Sequence, residues 1–276
     1  MKIFLTGGTG FIGSHFINQA HAVGHEIIAL RRSPASVPRV PLGKAPVWLD
    51  KAMPDLQPAD FIGSDTLVHL AAHSANVPYD TLEACIQHNV IEPIQMIRTA
   101  SVAGIQKYVI AGSCFEYGRS GERYDKIPPN APLEPTLSYP ASKAAASVAF
   151  HSLAQELSIK LSIHRIFQVF GEGEDPGRLW PSLRKAALAG ESLEMTPAEQ
   201  VRDFINVTEV AAQLLAAIDL EPLPGIPLVM NLGTGEEMTL RNFAEHWWKT
   251  WNASGTLHFG AKPYRDGEIM RYIPLV

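Results

Sequence analysis

Tyr139 and Lys143 stand four residues apart in Tyr139-Pro140-Ala141-Ser142-Lys143, a spacing that puts both side chains on one face of a helix beginning there. Pro140 fits the first turn, where its missing N–H has no intrahelical partner to lose. A tyrosine titrating near ~10 is a poor acid–base catalyst at neutral pH, but a neighbouring ammonium and a helix N-terminus both favour phenolate. The pair therefore offers a proton shuttle. Ser113 is expected at the carboxyl end of a strand, where ligands bind in open α/β sheets, with its hydroxyl placed to hold a reacting carbonyl beside Tyr139. The bland alternative is a solvated helical pair without chemistry.

A second set of residues suits a dinucleotide. Thr6-Gly7-Gly8-Thr9-Gly10-Phe11-Ile12-Gly13 follows an apolar first strand and opens a helix, satisfying Gly8-x-Gly10-x-x-Gly13 and Gly7-x-x-Gly10-x-x-Gly13. Glycines there let the backbone approach a pyrophosphate, which sits on the free N–H groups of the helix N-terminus. About 18 residues beyond Gly13, where an NAD-specific site carries an acid for the ribose 2′-hydroxyl, the chain has Arg31-Arg32-Ser33. Guanidinium forks suit a 2′-phosphate, and no neighbouring carboxylate is expected to repel it, so NADP(H) is preferred over NAD. Asp50, at the end of the third strand, is a candidate adenine contact.

These residues need a scaffold, and the first 170 residues supply an alternating one. Strands are predicted over Lys2 to Thr6, His25 to Arg31, Pro46 to Leu49, Thr66 to Ala71, Lys107 to Ala111 and Lys160 to Val169. Helices are predicted over Gly10 to Val23, Tyr79 to Ala103 and Tyr139 to Leu157, with Gly24 and Gly104 as C-terminal caps of the first two. Repeated β-then-α order implies a doubly wound parallel sheet of Rossmann type, an α/β fold, spanning residues 1–170. Residues 171–276 are read mainly as a smaller substrate-binding lobe with a helix over Trp180 to Ala189. Its segments near 203–220 and 228–232, including strands Asp203 to Val207 and Leu228 to Leu232, are expected to return to the main domain. Pro34 to Pro46, with four prolines, is read as a surface loop.

The composition narrows the function. Among 276 residues, 23 Lys and Arg against 28 Asp and Glu give a formal charge of −5, which argues against nucleic acid and anionic lipid as partners. No apolar run approaches a membrane span, and the start is read as a first strand, because the run stops after Leu5 without an h-region. Cys85 and Cys114 form no CxxC pair and are read as free thiols in a reducing cytosol, which implies a cytoplasmic protein. No metal site is expected. Gly24 breaks the helix between His21 and His25, His69 and His73 straddle a strand end, and no HExxH occurs. Gly13-Ser14-His15 lacks the lysine of a P-loop, and no GxSxG elbow is present.

With these motifs in order, the chain resembles the extended short-chain dehydrogenase/reductase superfamily, in its nucleotide-sugar epimerase, dehydratase and ketoreductase branch. The resemblance is carried by Thr6 to Gly13, His69-Leu70-Ala71-Ala72, Asn89, Ser113 to Gly118, Tyr139 to Lys143, Arg165 to Gly171, Arg202-Asp203-Phe204 and Asn231-Leu232-Gly233-Thr234-Gly235. It implies Ser113, Tyr139 and Lys143 as the catalytic set. It also implies a cofactor site of Gly7, Gly10, Phe11, Ile12, Gly13, Arg31, Arg32, Asp50, Leu70, Ala71 and Ala72, with Tyr139 and Lys143 reaching the nicotinamide end. On the substrate side stand His73, Cys114, Phe115, Gln168, Arg178, Arg202 and Arg265, the arginines suiting a nucleotide diphosphate. Gln168 replaces the asparagine of many relatives, and Cys114 is as well explained by packing.

Three reactions of this branch separate after Ser113. Family dehydratases carry Asp-Glu there, whereas this chain has Cys114-Phe115; epimerases resembling GDP-fucose synthase use a cysteine where Phe115 stands. What remains is hydride transfer with Tyr139 as proton donor, either ketone reduction by NADPH or 4-epimerisation with NAD. Arg31-Arg32 favours reduction, and the resemblance of Gly112 to Gly118 and Tyr139 to Lys143 to sugar 4-ketoreductases such as abequose synthase implies an NDP-4-keto-6-deoxyhexose reduced at C4. An NAD-dependent NDP-sugar 4-epimerase is the alternative, and a noncatalytic NADP-binding sensor is an alternative of another class. The helices over Tyr79 to Ala103 and Tyr139 to Leu157, with Ala144-Ala145-Ala146, suit a homodimer through a four-helix bundle. The chain ends at Val276, soon after Pro263-Tyr264-Arg265-Asp266-Gly267-Glu268, where many relatives continue, so part of the substrate lid is expected to be absent or supplied differently.

Overall fold

Seven strands pair in parallel: β1 (Lys2–Thr6), β2 (Glu26–Arg31), β3 (Val47–Asp50), β4 (Thr66–His69), β5 (Lys107–Ser113), β6 (Lys160–Ile166) and β7 (Leu228–Leu232). The computed structural model describes residues 1–265 and 267–276. The sheet order is β7-β6-β5-β4-β1-β2-β3, so the chain winds outward from β1 in one direction and from β4 in the other. The carboxyl ends of β1 and β4 thus flank the topological switch point, where a parallel sheet opens a crevice. Central strands are buried on both faces, which accounts for their uninterrupted apolar runs such as Ile3-Phe4-Leu5.

Helices cover each face. On one, Phe16, Ile17 and Ala20 of α1 (Phe11–Ala22) share a core with Val210, Ala211 and Leu214 of α6 (Val207–Ala216). On the other, Met96, Ile97 and Ala100 of α3 (Glu92–Val102) pack with Phe150, Leu153 and Ala154 of α4 (Ser138–Leu157). Gly24 and Gly104 close α1 and α3 as expected. A separate aromatic core of Phe170, Trp180, Phe243, Trp247 and Trp251 joins α5 (Leu179–Ala189) to α7 (Leu240–Thr250).

Four elements depart from the sequence expectation. The helix over Tyr79 to Ala103 is α2 (Leu82–Ile86), a π-turn (Gln87–Ile91) and α3. Pro93 explains the break, since it lacks the N–H that would bond Asn89 and its ring crowds that carbonyl. The strand over Lys160 to Val169 stops at Ile166, and Gln168–Phe170 instead pairs with Phe204–Asn206 in a two-stranded sheet. The strand expected at Asp203 to Val207 therefore does not enter the main sheet, whereas Leu228–Leu232 does. The proline-rich loop is not merely superficial: Ser36, Val37, Pro38 and Arg39 line the central cleft, and Val40 is buried. Among the described residues, no helix is long and apolar enough to cross a membrane.

Candidate active site

The glycine turn is fixed by lack of space. A Cβ on Gly7, whose φ is +76°, would lie 2.6 Å from the Ala71 nitrogen, and one on Gly13 would lie 2.1 Å from the Gly7 carbonyl oxygen. The β1–α1 turn consequently nests against the end of β4. No side chain caps α1, and its first intrahelical bond is Ser14 N–H to the Gly10 carbonyl. The N–H groups of Phe11, Ile12 and Gly13 are thus the intrahelically unpaired donors of a helix N-terminus, a ready anion cradle. They open on a cleft of about 1180 Å³. That is large for one small ligand and suits a dinucleotide with a second molecule.

The cleft gathers Gly7, Gly10, Phe11, Ile12, Gly13, Arg31, Arg32, Leu70, Ala71, Ala72, His73, Ser113, Cys114, Phe115, Tyr139, Lys143, Gln168 and Arg178. Asp50 is not brought to it. The β2–β3 register sets Asp50 opposite Arg31, and the Arg31 Nε donates to Asp50 Oδ1 at 2.5 Å, with the guanidinium over the Trp48 ring. Asp50 is thus an ion-pair partner of Arg31, and the expectation that no carboxylate neighbours the arginine pair is corrected. Arg32 is exposed in the cleft wall and makes no ion pair among the described residues.

Ser113 ends β5 and Tyr139 lies in the first turn of α4, both buried, with Lys143 one turn on. The Lys143 Nζ donates to the Ala111 carbonyl at 2.7 Å, which fixes the ammonium between sheet and helix. Burial, helped by the Glu116 carboxylate, pushes the Tyr139 phenol above its ordinary value, with Ser113 opposing as a hydrogen-bond partner. Burial lowers Lys143, and Glu116 partly restores it. The phenolate expected from the Lys143 spacing is therefore not favoured, because desolvation of a buried anion outweighs a cation that is itself desolvated.

Glu116 is a site residue that sequence reasoning passed over. It is fully buried; Oε1 accepts from the Ser113 N–H (2.8 Å), and Oε2 accepts from Arg165 Nε (2.7 Å) and Ser147 Oγ (2.6 Å). The Ser113-x-x-Glu116 spacing is a capping box, a signal readable in advance. Asn89, displaced by the π-turn, brackets His73 by accepting from its N–H (2.7 Å) and donating to its carbonyl (3.1 Å), and it donates to Ser142 Oγ (3.0 Å). The His73 Nε2 lies 2.8 Å from Asp80 Oδ2.

On the remaining wall, burial pushes the Cys114 thiol up to about 12. It is a packed thiol. The Arg202 Nη2 donates to Glu268 Oε1 (3.1 Å) and to the Ile269 carbonyl (2.5 Å), and Arg265 is exposed; neither lines the cleft. Glu174, not anticipated, does line it, beside Arg178. Among the described residues no cluster of His, Cys, Asp and Glu has the arrangement of a metal site.

The family model described as "NAD dependent epimerase/dehydratase family" matches residues 3–233. A CDP-abequose synthase of Salmonella muenchen is 25% identical over 98% of this chain and 87% of its own. A dTDP-6-deoxy-L-talose 4-dehydrogenase (NAD(P)(+)) of Kitasatospora kifunensis is 30% identical over 88% of this chain and 77% of its own. Among solved structures, TunA, an NAD-dependent NDP-hexosamine 5,6-dehydratase involved in tunicamycin biosynthesis, superposes with a TM-score of 0.83 at 28% identity, covering 100% of this chain and 89% of that one.

Proposed function

The chain belongs to the NAD dependent epimerase/dehydratase family, and on that premise we propose that it is an NADPH-dependent 4-ketoreductase of an NDP-4-keto-6-deoxyhexose. One observation carries the reading: Ser113, Tyr139 and Lys143 line a single cleft with the glycine turn, and Cys114-Phe115 stand where family dehydratases carry their Asp-Glu acid and base. Cys114 is a buried thiol packed in an apolar cluster, and Phe115 has no proton to give. A bound nicotinamide would supply the hydride. Tyr139 then gives its phenolic proton to the substrate oxygen, Ser113 donates a hydrogen bond to that oxygen, and Lys143 holds positive charge beside the phenol. A phenol raised above its ordinary value stays protonated at neutral pH, the form in which a proton donor must stand. The substrate diphosphate falls to Arg178, with Arg202 and Arg265 joining only if Arg202 exchanges Glu268 for it. His73, Phe115 and Gln168 wall the sugar. A cytoplasmic homodimer through α2, the π-turn, α3 and α4, where Leu82, Ile91 and Val148 are exposed, belongs to the same reading.

The test is nicotinamide oxidation with freshly generated dTDP-, CDP- and GDP-4-keto-6-deoxyhexoses. Consumption with one of them, faster with NADPH and yielding the 4-hydroxy sugar, is expected. NDP-sugar interconversion by protein that retains NAD would instead make it a 4-epimerase, a reading that the Arg31–Asp50 pair favours because it withdraws one guanidinium from a 2′-phosphate.

Cofactor choice then rests on Arg32. Arg32→Ala is expected to weaken NADPH binding about tenfold or more, the loss of a charge-assisted contact of ~1.5–3 kcal/mol, and to leave NADH binding unchanged. Fluorescence titration of both nucleotides measures this, and an unaltered NADPH to NADH ratio would remove the basis for NADP preference.

A further inference from the structure

Glu174 lies in the cleft wall with its side chain only 5% exposed. Its Oε1 is 3.5 Å from Arg178 Nε, a loose contact, and its Oε2 is buried without a hydrogen-bond partner among the described residues. Side-on approach through Nε leaves the terminal nitrogens of Arg178 for another ligand. The charged and titratable groups facing this corner are few. Asp175 and Arg178 come from its own loop, and Arg39 of the proline-rich loop sits 3.9 Å from Asp175. From α1, His15 Nε2 donates to the Glu172 carbonyl at 2.8 Å, while Tyr79 and the Cys114 thiol feel the charge of Arg178 from the far side. The loop is thereby tied to the helix whose N-terminus presents free N–H groups, and its arginine faces the residues around Tyr139.

A buried carboxylate with one oxygen uncompensated is costly, so the neutral acid is the form this corner favours. A neutral carboxyl has an O–H to donate, and the acceptor that matches it best beside a guanidinium is an anionic oxygen. We propose that Glu174, as the neutral acid, donates from its carboxyl O–H to a non-bridging oxygen of a diphosphate held beside Arg178. The inference rests on the reading of the cleft as a site for a dinucleotide and a nucleotide sugar, and a diphosphate arrives with either.

Binding at such a site takes up a proton. Burial pushes the Glu174 carboxyl up to about 7, Arg178 opposing. The neutral fraction, and with it the apparent affinity, falls about tenfold between pH 6 and pH 8. The ionised form would repel the diphosphate, so affinity decreases as pH rises. NAD⁺ and dTDP-glucose are suitable probes, since neither diphosphate diester titrates over that range. Isothermal titration of the full chain with each, at pH 6 and pH 8, is expected to show one ligand binding about tenfold more weakly to the wild type at the higher pH. Glu174→Gln should bind that ligand equally at both pH values, and the ligand that responds identifies which diphosphate Glu174 meets.

A pH dependence that Glu174→Gln leaves intact for both ligands overturns the proposal. So does uniformly weaker binding by the variant at both pH values, which would make the carboxylate an acceptor. Absence of binding to either ligand at any pH would overturn the dinucleotide reading and this inference together. Turnover is not read, so failure of the reductase assay leaves these slopes in place. A melting curve at pH 8 serves as the folding control. An acid whose folded value lies above its unfolded one loses stability as pH rises through that interval, so the glutamine variant should melt no lower than the wild type.

Discussion

Tyr139→Phe is expected to lower kcat by about 10²- to 10⁴-fold, the range contributed by a positioned acid, and to leave NADPH binding nearly unchanged. The hydroxyl is expendable to the fold, because Tyr139 is buried and, among the described residues, Ser113 alone is a hydrogen-bond partner of its oxygen. The variant therefore removes the proton donor with little change in volume and no orphaned backbone group. Steady-state kinetics on the substrate that responds in the oxidation assay, with nucleotide titration of the same preparations, separates the two effects. An interaction made only in the transition state lowers kcat and kcat/KM together. If turnover survived, a group other than Tyr139 would be the acid.

The rate should also keep its acid-side plateau. Because burial raises Tyr139 above its ordinary value, the phenol is fully protonated throughout neutral pH, and reduction loses its donor only as pH climbs through that raised value. The sequence alone suggested the reverse direction, and the reason is instructive. Four-residue spacing reports that Lys143 is near Tyr139, but spacing carries no information on how dry the pair is. Nor does it show that Lys143 spends its Nζ on the Ala111 carbonyl.

The same division runs through the fold. Alternating apolar runs, and glycines at Gly7 to Gly13, Gly24 and Gly104, were sufficient to read the parallel sheet and its crevice, because period and punctuation are local properties. The Arg31–Asp50 pair was not legible, since it depends on which residue of β3 stands opposite β2, a register set by the whole sheet. The cleft-lining role of Ser36 to Arg39 depends on a contact with the 171–178 loop, where a Cβ on Gly173 would meet Val40. Residues far apart in sequence meet there without any shared period. The π-turn was half legible: Pro93 forecasts a disturbance four residues upstream, but only the fold shows that it turns Asn89 onto His73 and Ser142.

Glu116→Ala is expected to destabilise the protein by about 3–5 kcal/mol, the cost of stripping one partner from a buried ion pair. That is a large part of the ~5–15 kcal/mol by which a domain is ordinarily stable. The loss falls on three elements at once. Arg165 of β6 would keep only the Tyr117 hydroxyl (3.1 Å) and the Pro129 carbonyl (2.7 Å) for a buried guanidinium, while the Ser113 N–H at the end of β5 and Ser147 of α4 would lose their acceptor. Since those bonds set Ser113 against the helix that carries Tyr139 and Lys143, activity should fall along with stability. Urea unfolding followed by circular dichroism gives the first quantity. Arg165 supplies the decisive control, because the double variant Glu116→Leu, Arg165→Met removes both charges and should recover much of the lost stability, as apolar replacements of buried pairs commonly do. Its recovered fold should still lack activity, for Leu at 116 cannot accept from the Ser113 N–H. Recovery of both would mean that Glu116 serves only to neutralise Arg165, and a single variant within ~1 kcal/mol of wild type would mean that solvent reaches the pair.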